Sequence, residues 1–192
     1  TLSDLRVQTE EDFTVKFTND VNNIAFETNP IRIEEKPQSR HFWGDLHGQS
    51  EETIGTNSAE AYFKFARDLA FVDVSGHQGN DFQITTDFWK HLDELCKKFN
   101  QDGKFIAIPG YEWSGNTGLG GDRNIYFPTE GRTLRRSSHA LVSDHSDIST
   151  DCNSATELFS AFAENDESDV VVYAHCGGRY ADIELAHDGR FE

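Results

Sequence analysis

Apolar and polar positions alternate near the start of the chain, and the pattern changes further along. Residues 12–18 read DFTVKFT and alternate with a period of two, which is typical of a half-buried strand. Short apolar stretches at 24–27 and 31–33 predict two more strands, separated by turn residues. We therefore predict a β-rich segment and linker over residues 1–40.

From His41 onward, short apolar segments alternate with amphipathic helical segments. Helices are predicted from Ser58, whose side chain can cap the first turn, and over residues 85–99 and 155–163. The strands predicted among them lie at 42–47, 71–75, 104–110, 124–127 and 169–174. Strands that alternate with helices favour an α/β fold with a mainly parallel sheet or barrel, in which functional side chains lie beyond the carboxyl ends of the strands.

Ligand-type side chains follow four of these strands. His47, His77 and His175 come at the ends of the first, second and last strands, and Glu112 follows the third. A single histidine in such a place is more often a hydrogen-bonded structural residue, but four positions at one mouth would converge. Imidazoles with a carboxylate form a ligand set for zinc, manganese or iron. The pattern predicts a metal site.

Further residues near these ends add to the predicted site. Asp45 lies two positions before His47, so on a strand it faces the same side and would bind metal or orient His47; a cap or turn role is the alternative. Glu112 could bridge two cations, since a carboxylate has two oxygens. Residues 129–153 form a polar loop, interpreted either as a lid or as a solvated loop.

Composition narrows the classes of function. The formal net charge is −17, with 17 Lys and Arg against 34 Asp and Glu, so no basic face is expected to bind nucleic acid. This acidity favours solubility or attraction of cations. The three cysteines form no paired motif, which argues against a disulfide framework or a zinc ribbon. Neither a membrane-length apolar run nor a signal segment is visible, and the compartment stays open between cytoplasm and export after processing.

Several ordered motifs resemble the PHP superfamily, named for polymerase and histidinol phosphatase domains, and in particular a branch known mainly as a family of unknown function. They are NPI at 29–31, HFWGDLHGQS at 41–50, GHQGND at 76–81, PGYEW at 109–113 and AHCGGR at 174–179. The resemblance covers residues 29–192. It implies a distorted seven-stranded, TIM-like β/α barrel over residues 41–192, up to three divalent metal ions, and phosphoester hydrolysis.

The resemblance also assigns roles to individual residues. His47 matches the first histidine of the superfamily's HxH motif, and His77 the histidine that closes the second strand. Glu112 matches the bridging glutamate. His175 matches the histidine that usually precedes a proline, although Cys176 stands in the proline position here.

Three departures from the family pattern affect the expected site. Gln49 occupies the place of the second HxH histidine, and Asp122 appears in place of a further ligand. Both argue against a full set of three metals, although Asp122 can still bind one. The closing Asp-x-His motif would come after Glu192, so the barrel expected here is incomplete at its C-terminus.

The leading hypothesis is a hydrolase with a small, anionic substrate. Two or three Zn, Mn or Fe ions, held by His47, His77, Glu112, His175 and either Asp45 or Asp122, would generate hydroxide for attack on phosphorus. Arg179 or Arg123 would take up charge on the substrate oxygens. Two alternatives stay open: hydrolysis of an amide, lactone or carboxylate ester, and a non-catalytic, metal-stabilised binding module, which Gln49 favours.

Overall fold

A computed structural model describes residues 6–8, 11–36, 38–115, 121–165 and 167–175 of the chain. The chain divides into two compact units, Thr1–His41 and Phe42–Glu192. Within the described residues, no helix has both the length and the apolar character needed to cross a membrane.

The described residues of the first unit form two small antiparallel ladders. β1 (Asp12–Phe13) pairs with β4 (Ile31–Arg32), and β2 (Lys16–Asn19) pairs with β3 (Ile24–Glu27). The rings of Phe17 and Phe26 stack across the second ladder with centroids 4.9 Å apart. The strand predicted over residues 12–18 is therefore divided into β1 and β2.

The second unit opens with a parallel βαβαβ arrangement. Its elements are β5 (Gly44–Gly48), α1 (Ala59–Asp68), β6 (Val74–His77), α2 (Thr86–Phe99) and β7 (Ile106–Ile108). The strands pair in the order β5-β6-β7, all parallel. The hydroxyl of Ser58 accepts the N–H of Ala61 and that of Thr85 accepts the N–H of Phe88, so side-chain caps fix where both helices begin. The predicted helices at these positions are confirmed.

Both helices turn an apolar face towards the core. In α1 the buried residues Ala59, Phe63 and Ala66 recur at helical spacing. In α2 the buried set is Phe88, Trp89, Leu92, Leu95, Cys96 and Phe99. The rings of Phe63 and Phe99 stack with centroids 5.7 Å apart, which joins the two helices.

After β7 the chain changes direction. β8 (Gly110–Trp113), β9 (Arg123–Tyr126), and, after α3 (Ala155–Glu164), β10 (Val171–Ala174) form an antiparallel sheet in the order β8-β9-β10. The main chain of β8 also meets the end of β6, because the N–H of Glu112 donates to the carbonyl of Gly79 at 2.9 Å. The described residues of the second unit thus form two three-stranded sheets.

The expected seven-stranded barrel is wrong. The described strands form sheets of two or three strands, and no closed barrel is present among them. One residue, Pro109, separates β7 from β8, whereas a parallel crossover needs about a dozen residues. Proline also lacks the N–H that a continuing ladder would use. The single strand predicted over residues 104–110 ends here, and the chain enters an antiparallel sheet instead.

The segment 129–153 is anchored in the protein, which differs from the expected solvated loop. Arg136 is fully buried; its Nε donates to the carbonyl of Ile84, and its guanidinium pairs with Asp147 at 2.9 Å. The ring of His139 lies between Asp151, at 2.5 Å from Nδ1, and Asp147, at 3.1 Å from Nε2. These contacts hold the segment against the start of α2, where Thr86 also donates to Asp147.

The packing of α1 can be tested with two phenylalanines on opposite faces. Phe63 is 0% exposed and Phe65 is 58% exposed. We expect Phe63→Ala to lower the free energy of unfolding by about 3–5 kcal/mol, because it leaves a cavity. The matched Phe65→Ala should change it by no more than about 0.5 kcal/mol. Urea unfolding measures both, and equal losses would mean that α1 packs through another face.

Candidate metal centre

Three ligand-type side chains converge in the second unit. One ligand atom from each of His47, Glu112 and His175 lies within 4.8 Å of the other two. Nε2 of His47 is 3.4 Å from Oε2 of Glu112 and 3.2 Å from Nε2 of His175. The two imidazole rings are tilted by 42°, with centroids 4.6 Å apart. Two nitrogens and a carboxylate oxygen therefore face one small volume.

Such an arrangement requires a hydrogen or a cation among the three atoms. Unprotonated imidazole nitrogens and a carboxylate oxygen all present lone pairs, which repel one another unless a proton or a cation lies among them. A hydrogen bond from the ring to Glu112 raises the pKa of His47 above its usual value, although burial opposes this. The same position therefore attracts a proton or a metal ion, and the two compete for it.

A bulge in β5 places His47. The pairing of β5 with β6 is regular at Asp45 and resumes at Gly48, with a register shift between them. Asp45 is exposed, and its Oδ1 accepts the backbone N–H of His47 at 3.1 Å. Asp45 is not among the three converging residues; its carboxylate instead fixes the main chain from which the His47 ring projects.

Glu112 and His175 are placed by the antiparallel sheet. Glu112 lies in β8 and is only 5% exposed, so its carboxylate is largely removed from water. His175 directly follows β10, and its N–H donates to the carbonyl of Asp122 at 3.0 Å. The ligand set thus draws on both sheets: one residue from the parallel sheet and two from the antiparallel sheet.

His77 lies apart from this group. The N–H of Gly79 donates to its Nδ1 at 3.2 Å, so Nε2 carries the hydrogen and donates to the hydroxyl of Ser50 at 2.8 Å. The ring is buried and packs edge-on against Phe88. Burial lowers the pKa of His77 to about 4. This imidazole is neutral and has both nitrogens engaged, as a structural histidine does.

Two further predicted site residues, Asp122 and Arg123, are also outside the converging group. Asp122 is buried, and its backbone carbonyl serves His175. Arg123 is 0% exposed and donates to the Asp122 carbonyl at 3.2 Å. Alternation along β9 directs Arg123 to the face opposite Asn124. Its predicted contact with substrate stays a prediction, and Arg179 lies outside the described residues.

Gln49, which stands where a ligand histidine was expected, takes part in a network of amides and hydroxyls. Its Nε2 donates to the carbonyl of Gln78 at 2.6 Å, and its Oε1 accepts the hydroxyl of Thr53 at 2.6 Å. These bonds join the loop after β5 to the end of β6. The described contacts therefore give Gln49 a role in holding the loop.

Sequence reasoning missed one residue of the site, Asn124. Its Oδ1 lies 2.8 Å from Nδ1 of His47, and its side chain is buried. The available signal was the alternation of β9, which places Asn124 two residues after Asp122. The neutral amide of asparagine is a weak metal ligand, so residue type alone did not indicate Asn124.

Comparison with known proteins gives a family and distant relatives. The family described as "Protein of unknown function (DUF3604)" matches residues 21–178. An uncharacterized protein of Chlamydia pneumoniae is 31% identical over 57% of this chain and 18% of its own length. An uncharacterized protein of Chlamydia trachomatis is 26% identical over 53% of this chain and 17% of its own length. The chain thus spans less than a fifth of these curated relatives, and no solved structure gives a significant match.

The depressed pKa of His77 predicts a pH-dependent stability. The folded pKa of about 4 lies below the unfolded value of 6.5, so the unfolded state binds more protons as the pH falls through this range. When the pH falls from 7.5 to 5, protonation linked to this imidazole should lower the free energy of unfolding by about 2 kcal/mol.

A variant without an ionisable group isolates that contribution. We expect the destabilisation caused by His77→Gln to be smaller at pH 5 than at pH 7.5 by about 2 kcal/mol, because only the wild type loses stability through this ring. Urea unfolding at the two pH values measures it. A destabilisation that does not change with pH would contradict a buried, neutral His77.

Proposed function

The chain belongs to the DUF3604 family of proteins of unknown function, and we propose that it is a metal-dependent hydrolase. The proposed centre consists of His47, Glu112 and His175. The observation that carries the proposal is the convergence of their three ligand atoms within 4.8 Å.

The donor set fits a divalent cation. Two imidazoles and one carboxylate are the protein ligands of a common class of catalytic zinc site, in which further positions stay open to water or substrate. The buried Glu112 supplies negative charge, and the side chain of His47 keeps 37% of its surface exposed, so solvent reaches one side of the group. A closed structural zinc site would instead have four protein ligands.

The chain's own residues would perform three tasks. Glu112 and the two imidazoles would hold the cation, which would supply Lewis acidity and activate water for attack. Asp45 fixes the backbone of His47 through its N–H. Glu112 offsets part of the ion's charge inside the protein, where electrostatic interactions are stronger than in water.

The described residues support one cation in this group. Sequence reasoning predicted two or three, with His77 as a ligand. Both nitrogens of His77 are engaged by Ser50 and Gly79, so binding a second ion through this ring would break a buried hydrogen bond. We therefore propose a single ion held by His47, Glu112 and His175.

A phosphoester is the proposed substrate class, and it rests on the resemblance to the PHP superfamily, which is a weaker ground than geometry. The same chemistry serves amide, lactone and ester bonds. A non-catalytic module would bind the metal without turnover. Measurements of metal content and of turnover distinguish these alternatives.

Metal binding is tested first with single variants. The wild type should retain about one equivalent of zinc or manganese by elemental mass spectrometry after loading and gel filtration. His47→Ala and Glu112→Gln should lose it, because each removes one of three converging donors. The matched control is His91→Ala, since His91 is exposed and lies beside Glu94 on the surface of α2. Equal metal content in all four proteins would overturn the proposed ligands.

Turnover is tested with a panel of model substrates. The metal-loaded wild type should hydrolyse p-nitrophenyl phosphate or bis-p-nitrophenyl phosphate, a chelator should abolish the reaction, and Glu112→Gln should not support it. Preference for p-nitrophenyl acetate or a lactone would replace the substrate class but keep the centre. Hydrolysis that persists without metal would contradict the mechanism, and metal binding without turnover of any substrate would favour the non-catalytic module.

A further inference from the structure

The amide of Asn124 lies against the edge of the His47 ring that faces away from the proposed ion. Oδ1 of Asn124 and Nδ1 of His47 are 2.8 Å apart. We propose that Asn124 is a positioning residue, which fixes the tautomer of His47 and aims the Nε2 lone pair at Glu112 and His175. The effect on metal binding rests on the proposed function, whereas the tautomer of His47 can be measured without any metal.

The chemistry of an amide oxygen determines the direction of this hydrogen bond. A carbonyl oxygen only accepts, so Nδ1 of His47 must be the donor. A neutral imidazole carries one hydrogen, and the lone pair is then left on Nε2. That nitrogen is the atom that lies 3.4 Å from Glu112 and 3.2 Å from His175. The other tautomer would place two lone pairs against each other at Asn124 and a hydrogen where the ion binds.

The sheet holds Asn124 rigidly in this role. β9 is the central strand of the antiparallel sheet, and Asn124 pairs with Glu112 on one side and with Tyr173 on the other. The position of Asn124 in β9 thus places it beside Glu112, one proposed ligand of the ion. Its side chain contacts His47, a second proposed ligand. Because both neighbouring strands fix the backbone of Asn124, little conformational freedom is lost there when His47 binds an ion. A supporting residue fixed in this way keeps a ligand in productive geometry.

Burial makes the hydrogen bond between Asn124 and His47 costly to break. Asn124 is 3% exposed, so its amide oxygen has little access to water if His47 turns away. Leaving such a group without a partner is costly. The amide and the ring therefore restrain each other, and only the Nδ1–H form of His47 satisfies both.

Two substitutions separate positioning from general damage. Asn124→Leu keeps the approximate volume and removes the acceptor, and Asn124→Asp keeps an acceptor oxygen in the same place. The matched control is Asn100→Leu, because the Asn100 amide is bonded to the main chain of Ala107, away from the centre. Circular dichroism and urea unfolding establish that each protein is folded.

The first readout is zinc affinity, measured by competition with a chromophoric chelator. We expect Asn124→Leu to weaken zinc binding about 10–100-fold, as the loss of other supporting contacts to ligand histidines does. Asn124→Asp should stay within about threefold of wild type or bind more tightly, and Asn100→Leu should bind as wild type does. Zinc binding by folded Asn124→Leu that equals wild type would overturn the proposal.

The second readout is the tautomer of His47 in the metal-free protein, from long-range proton–nitrogen NMR at a pH where the ring is neutral. The wild type and Asn124→Asp should carry the hydrogen on Nδ1, and Asn124→Leu should show a mixture. A wild-type ring with the hydrogen on Nε2 would refute the inference even if zinc binds. A wild type that carries it on Nδ1 but binds no zinc would refute the proposed function and leave the positioning intact, and this measurement needs no folded Leu variant.

Discussion

A carboxylate that is largely removed from water has to be compensated, and Glu112 is such a group. It is 5% exposed and lies in β8, where the main chain of this strand meets the end of β6. Nε2 of His47 lies 3.4 Å from its carboxylate, and the raised pKa of His47 reflects that contact. Because burying an uncompensated charge is expensive, the bulge in β5, the pairing of β8 with β9 and the position after β10 all act to bring imidazoles to this oxygen.

Local signals in the sequence predicted the helices well. Ser58 and Thr85 cap α1 and α2, and the apolar spacing that follows each cap matches the buried face. The parallel order of β5, β6 and β7 also agrees with strands that alternate with helices. The error came at Pro109, since a short apolar run shows that a strand exists but not which neighbour it pairs with. The seven-stranded barrel was implied by the resemblance to the PHP superfamily, and the order of strands in the structure contradicts it.

The candidate site was predictable by residue type and only partly by geometry. Ends of successive strands indicated His47, His77, Glu112 and His175, but alternation and bulges decide which way a side chain points. His77 turned to Ser50 and Gly79 because its strand end is buried under α2. The sequence did not indicate Asn124, because its role depends on a contact with His47, 77 positions away, which no local pattern reveals.

The contact between His47 and His175 joins positions 128 residues apart. Closing a loop of this length costs chain entropy before the contact repays it, and such contacts slow folding. A cation held by both rings would close that loop reversibly, in the way that a disulfide closes one covalently. A chain could then acquire its ion only after residue 175 had been synthesised and had reached its place beside residue 47.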